Sequence, residues 1–133
     1  MILITRPKAQ SRDLKLLLSS RGYKTFQESF YYIQYYNKKI LYEKTFYYIF
    51  PSIHSVKGLI HSKQIYKFKN ANIFAIGKKV KKALLKAGCN NVVLTTIDSD
   101  SLIKSLNTSK YYKAKFIYLC SDIINKDFFI TAK

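Results

Sequence analysis

The chain has little of several things that would place it quickly. It holds two cysteines, Cys89 and Cys120, and two histidines among 133 residues. That is too few for a disulfide framework and too few ligands for a zinc site. Both thiols are therefore expected to be reduced and buried. Long apolar runs are missing as well: Ile2-Leu3-Ile4-Thr5 ends at Arg6-Pro7, and residues 46–50 end at Pro51. Neither approaches the length of a membrane span or of a signal-peptide core, so a cytoplasmic protein with no membrane partner is expected. Glycine is scarce too. Around Gly77 there is neither a second spaced glycine nor a Gly-Lys-Ser/Thr ending, which excludes a phosphate loop. His54 and His61 have no carboxylate or cysteine near them in sequence, and no Ser/His/Asp or Cys/His nucleophile pattern can be assembled. No metal is expected.

Acid is the other shortage. Seven Asp and Glu stand against 24 Lys and Arg, for a net charge of +17. Such a surplus suits a polyanionic partner. However, only three of the basic residues are arginine, and Lys, Ile, Asn, Tyr and Phe, all encoded by A/T-rich codons, fill about half the chain. Biased base composition thus raises lysine without selection for binding. The 12 tyrosines and nine phenylalanines interleaved with lysine could stack on bases, but those at 46–50 and 116–118 sit in strand patterns. Nucleic acid is not expected as a partner on this count.

What is present is an alternation of strand and helix patterns. Residues 2–5 form a short β-branched run that reads as a buried strand, and Leu14, Leu17 and Leu18 then make one helical stripe closed by Arg21-Gly22. A second strand is expected over 23–30. The pattern loosens from residue 31 to 44, where a linker fits. The aromatic run at 46–50 suits a central parallel strand covered on both faces. Ile53, Val56 and Ile60 return to helical spacing, and 72–76 is the next strand, stopped by Gly77. Residues 78–87 form the clearest helix, with Val80, Ala83, Leu84 and Ala87 inward, five lysines outward and Gly88 as the stop. A strand at 92–95, a helix capped by Asp98 or Asp100, and a strand at 116–120 follow, with Ser121-Asp122 placed to cap a further helix. This rhythm predicts a parallel sheet with right-handed crossovers and helices on both sides.

Three strand-to-helix junctions place hydroxyls or cations near helix N-termini at the C-terminal edge of a sheet, where open α/β folds bind anions: Thr5-Arg6-Pro7, Pro51-Ser52-Ile53-His54-Ser55 and Ile76-Gly77-Lys78-Lys79.

In order and spacing these junctions, with Leu85-Lys86-Ala87-Gly88, Asp98-Ser99-Asp100-Ser101-Leu102 and Ile117-Tyr118-Leu119-Cys120-Ser121, resemble uroporphyrinogen-III synthase. That family shows a "TRP" strand end, an "FTS" strand end, a "VG…TA…L…G" strand-helix and a "LyLrG" strand in this order. The chain departs from it at several points: Pro51 stands for the threonine of "FTS" with Ser52 kept, His54 is the basic residue that follows, Val80 replaces a hydroxyl, and Ser121 replaces the glycine of the last motif.

The resemblance implies two α/β domains, the second a flavodoxin-like parallel sheet flanked by helices. It divides the chain into a partial first domain (1–35), a crossover linker (36–44) and a second domain lacking its last strand (45–133), since the family's chains continue further. It implies cyclisation of hydroxymethylbilane to uroporphyrinogen III, with ring inversion and loss of water and without a cofactor. Thr5, Arg6, Ser52, His54, Gly77 and Lys78 would then bind the substrate's eight carboxylates. A complementing C-terminal half is an expected partner. The alternatives are a non-catalytic remnant or split fragment of that enzyme and, ranked below it, a basic nucleic-acid-binding module.

Overall fold

The computed structural model describes residues 1–122, and the chain divides there into two compact units, Met1–Gln34 and Tyr35 onward. In the first unit β1 (Ile2–Ile4) pairs in parallel with β2 (Thr25–Gln27), and α1 (Lys8–Ser20) connects them. Pro7 immediately precedes α1, where its missing N–H costs nothing. The fully buried residue of this helix is Ser11, whose hydroxyl donates to the Pro7 carbonyl and accepts from the Gln27 amide. This corrects the expected leucine stripe, because Leu14 and Leu17 are exposed. Two strands of three residues offer too little apolar surface to cover a thirteen-residue helix, so the helix seats its small polar residue instead.

The second unit is a four-stranded, all-parallel sheet in the order β5-β4-β3-β6. Its strands are β3 (Tyr47–Phe50), β4 (Asn72–Ile76), β5 (Val92–Thr96) and β6 (Phe116–Tyr118), joined by α2 (Ile53–His61), α3 (Lys78–Lys86) and α4 (Ser99–Leu106). The chain first moves outward from β3 to β4 to β5, then returns across to the far side of β3. Right-handed crossovers require that reversal to put α4 on the opposite face from α2 and α3. Two separate cores show that it does. Tyr48, Phe50, Ile73 and Ala75 pack beneath Val56, Leu59, Val80 and Leu84, whereas Ile49, Phe74 and Ile76 pack against Leu102, Ile103 and Tyr111. The strands alternate faces with period two, and both faces are apolar, as a doubly covered parallel sheet demands.

Local details follow from the side chains present. On α2 it is Leu59 that is buried and Ile60 that is half-exposed, one position away from the expected inward residue. Lysines 78, 79, 81, 82 and 86 all lie on the solvent side of α3. Gly88, at φ +87°, turns the chain out of that helix through a conformation that side chains resist. Asp98 caps α4 by accepting the Ser101 N–H at 2.8 Å, which holds its carboxyl below the usual range. Cys89 is buried, but Cys120 is exposed, against expectation, because it lies beyond the last ladder pair of β6. The helix anticipated after Ser121-Asp122 lies outside the described residues.

Residues 36–44 contain no helix or strand and yet are fastened down. The buried Gln64 amide accepts from the Ile40 N–H at 2.9 Å and donates to the Lys38 carbonyl at 2.8 Å. Tyr48, wholly buried, sends its hydroxyl out to accept the Glu43 N–H at 2.7 Å. Ile40 and Tyr42 thereby pack onto the core beneath α2. Tyr48→Phe is expected to lower stability by about 1–3 kcal/mol, since the hydroxyl accepts the Glu43 N–H and also donates to strap carbonyls, while leaving the sheet intact. Urea unfolding checks this, and an unchanged midpoint would mean the strap is not held there.

Candidate functional site

The strand order fixes where a ligand crevice can open. The order in which strands are added reverses at β3, with β4 and β5 on one side and β6 on the other, and open parallel sheets bind ligands beyond the carboxyl ends of the strands at such a switch point. The residues there are determined by register. Phe50 pairs with Ala75, so Pro51-Ser52 runs on beside Ile76-Gly77. On the other side Ile49 pairs with Tyr118, and its carbonyl accepts the Leu119 N–H at 3.0 Å, so Cys120-Ser121 continues beside Pro51-Ser52.

Pro51 ends β3 because it has no N–H for the ladder. Ser52 is extended, at φ −153° and ψ 165°, and occupies the N-cap position of α2, but its hydroxyl makes no capping bond. The Ser52 carbonyl instead accepts the Ser55 hydroxyl at 2.6 Å. The first N–H groups of α2 have no intrahelical acceptor, so this end attracts negative charge. Gly77 leaves β4 at φ +94° and ψ 142°, and its N–H donates to the Thr96 carbonyl at 2.7 Å. The chain can then enter α3 at once with exposed Lys78 as its first residue.

His54 is held in a way that sequence spacing does not reveal. Its Nδ1 is 2.9 Å from the hydroxyl of Tyr35, and the two rings stack with centroids 6.2 Å apart. On its other side Tyr35 approaches His61, at 5.9 Å between centroids, and its ring edge lies over Gly58, where a Cβ would sit 3.5 Å from it. Burial, then the neighbouring Lys57, lowers the His54 pKa, and burial raises that of Tyr35. His54 is therefore a neutral hydrogen-bonding group near pH 7 and supplies no positive charge there. If Tyr35 donates to Nδ1 the imidazole proton sits on Nε2 and faces outward as a donor, and if Nδ1 donates to the Tyr35 hydroxyl Nε2 is an acceptor.

The lowered pKa makes stability depend on pH in one direction. Unfolded His54 takes up a proton at higher pH than the folded residue, so its contribution is complete above about 6.5 and is lost as pH falls through that value and on through the folded pKa. The expected result is a melting temperature that falls between pH 7.5 and 5.5, with a shallower fall in His54→Gln. Parallel curves for the two proteins would contradict it.

The fold thus brings Ser52, His54, Gly77 and Lys78 to one sheet edge. Thr5 and Arg6 stand at the end of β1 in the first unit, where the Thr5 carbonyl accepts the Phe30 N–H at 3.1 Å and Arg6 is exposed. Sequence reading missed Tyr35, and it did not select Cys120-Ser121. The Cys120 thiol is pushed up by local desolvation, then by Asp122, so it stays protonated at neutral pH and is no ready nucleophile. Among the described residues no group of three or more His, Cys, Asp or Glu could hold a metal ion, and no helix is long and apolar enough to cross a membrane. Compared with protein-family models, curated proteins and solved structures, the chain matches none.

Proposed function

We propose that this chain belongs to the uroporphyrinogen-III synthase family and that the sheet edge around Ser52 binds carboxylates of hydroxymethylbilane. The observation that carries the reading is the reversal of strand order between β3 and β6, at the junction where Ser52 opens α2. This junction keeps the serine of the family's "FTS" strand end, and it lies where a parallel sheet binds ligands. The N–H groups of α2, the Ser52 hydroxyl and the Lys78 ammonium form a donor set suited to an acceptor-only polyanion.

The chemistry asked of these residues is modest. The linear tetrapyrrole loses its hydroxyl as water, the terminal ring attacks and inverts, and the macrocycle closes. Holding eight carboxylates in a bent arrangement turns this into a problem of orientation, to which fixed donors contribute more than a dedicated acid. A neutral His54 fits such a role, because it takes part in positioning without adding a charge.

Binding is tested with uroporphyrin I, a fluorescent octacarboxylate, titrated into the protein. The double variant Ser52→Ala with Lys78→Ala is expected to bind about tenfold more weakly, equivalent to one lost charge-assisted contact. A control at the distant exposed lysines, Lys104→Ala with Lys113→Ala, is expected to bind as the parent does. Equal weakening in both would reduce the interaction to net charge and overturn the site.

A further inference from the structure

The excess of lysine has a compositional explanation, but the distribution of acid does not. Between Lys44 and Ile97 there are ten lysines, no arginine and not one aspartate or glutamate. Codons for Asp and Glu are themselves rich in A, so a bias toward A and T does not remove them. Seven acids occur in the remainder of the chain. The acid-free stretch supplies β3, β4 and β5 and the whole helical layer over one face of the sheet, formed by α2, the 3-10 turn Ile65–Phe68 and α3. Across the sheet, α4 carries Asp98, Asp100 and Lys104, a mixed and ordinary surface. Lys57, Lys63, Lys69 and the five lysines of α3 are all exposed on this layer, and the strap packed onto the same core adds one acid, Glu43.

We infer that the outer face of α2 and α3 is a docking surface for the phosphate backbone of single-stranded nucleic acid, read without regard to sequence. Lys78, Lys82 and Lys86 follow one another at four-residue intervals, a row of cations running about 12 Å down the helix from the carboxylate site. A compact ligand at the sheet edge does not reach its far end, whereas a polymer of phosphates does. Lysine supplies point charges without arginine's planar fork, which suits backbone contact independent of sequence. Tyr66, 60% exposed in the same layer with the Lys67 ammonium 5.8 Å from its ring centroid, provides a face on which an unpaired base stacks. Apolar residues on this face, Ile60 and Leu85, are each half-exposed and flanked by lysine or histidine in sequence, the wrong pattern for insertion into lipid.

The test is fluorescence anisotropy of the full chain with a labelled 20-nucleotide oligo-dT. With six lysines engaged at about 0.7 ions each, the log–log salt slope is near −4, so affinity falls about 300-fold from about 50 to 200 mM salt. The charge-reversed variant Lys79→Glu, Lys82→Glu, Lys86→Glu is expected to lose at least about tenfold in affinity with a shallower slope. Lys104→Glu, Lys110→Glu, Lys113→Glu, carrying the same total charge, is expected to lose less than about threefold. Equal losses in the two variants would overturn the surface, as would absence of binding. So would stronger retention of the parent by phosphatidylserine vesicles than by oligo-dT at equal phosphate, which would assign the face to lipid. None of the substituted lysines belongs to the carboxylate site, so uroporphyrin binding is expected to persist in both variants. Circular dichroism confirms that each folds.

Discussion

Phe74→Ala is expected to lower the stability of the second unit by about 3–5 kcal/mol, the usual range for removing a wholly buried ring. Phe74 sits in β4 with neighbours on both sides, and its ring meets Tyr47 at 5.1 Å, Tyr111 at 5.3 Å and Phe116 at 6.0 Å between centroids. These contacts form the core under α4, which has fewer buried residues than the one under α2 and α3. Small domains hold together by about 5–15 kcal/mol, so the variant loses a large part of its margin. Urea unfolding followed by circular dichroism measures it. Tyr112, 85% exposed, provides the control, with Tyr112→Ala within about 0.5 kcal/mol of the parent. A loss under about 1 kcal/mol for Phe74→Ala would mean that this face of the sheet is not packed as described.

The second large effect is at Gly77. At φ +94° and ψ 142° its backbone lies where residues with a Cβ rarely go, although nothing within 4 Å would meet the added carbon. The cost of Gly77→Ala is therefore torsional, about 1–3 kcal/mol, and is not relieved by moving a neighbour. Gly58 gives the opposite expectation. It lies inside α2, an added Cβ would make an ordinary contact with Tyr35, and Gly58→Ala should gain about 0.5–1 kcal/mol from helix propensity. Gly77→Ala should also weaken uroporphyrin binding, since relaxing the strain requires re-aiming the start of α3 and with it Lys78. Destabilisation without any loss of binding would remove Gly77 and Lys78 from the site.

The contrast between these positions shows how far the sequence could be read. Residues 72–76 and the lysine-coated helix after them are locally over-determined, by a β-branched and aromatic run, a glycine stop and a clean apolar stripe, and the structure has both. The parallel sheet with helices on both faces followed from the same alternation. Leu59 against Ile60 was not decidable, because both lie on the apolar side of α2 and only the packing against β3 and β4 selects one. Leu14 and Leu17 misled for a different reason. Periodicity reports which face of a helix is apolar, and whether anything covers that face is a property of the rest of the fold. Cys120 was taken for a core thiol on residue type alone, whereas its exposure depends on where β6 stops pairing.

For the site, Ser52 and Gly77-Lys78 were legible as strand ends. What singles out the Ser52 junction is the strand order, and that order is set by which way the α4 crossover returns. No local pattern encodes it. Tyr35 was invisible for a related reason, since it lies nineteen residues before His54 in a segment without periodicity. The acid-free stretch from Lys44 to Ile97 could have been noticed by counting, but only the fold gathers it onto one layer.

The central claim is that this sheet edge serves ring closure of a linear tetrapyrrole. Its most direct test is to incubate the full chain with hydroxymethylbilane generated enzymatically in the same vessel, oxidise the products and resolve the uroporphyrin isomers. The account predicts a type III fraction above the no-protein control, reduced in the Ser52→Ala, Lys78→Ala double variant. Product that is only the spontaneous type I isomer, from a chain shown to be folded, would contradict it.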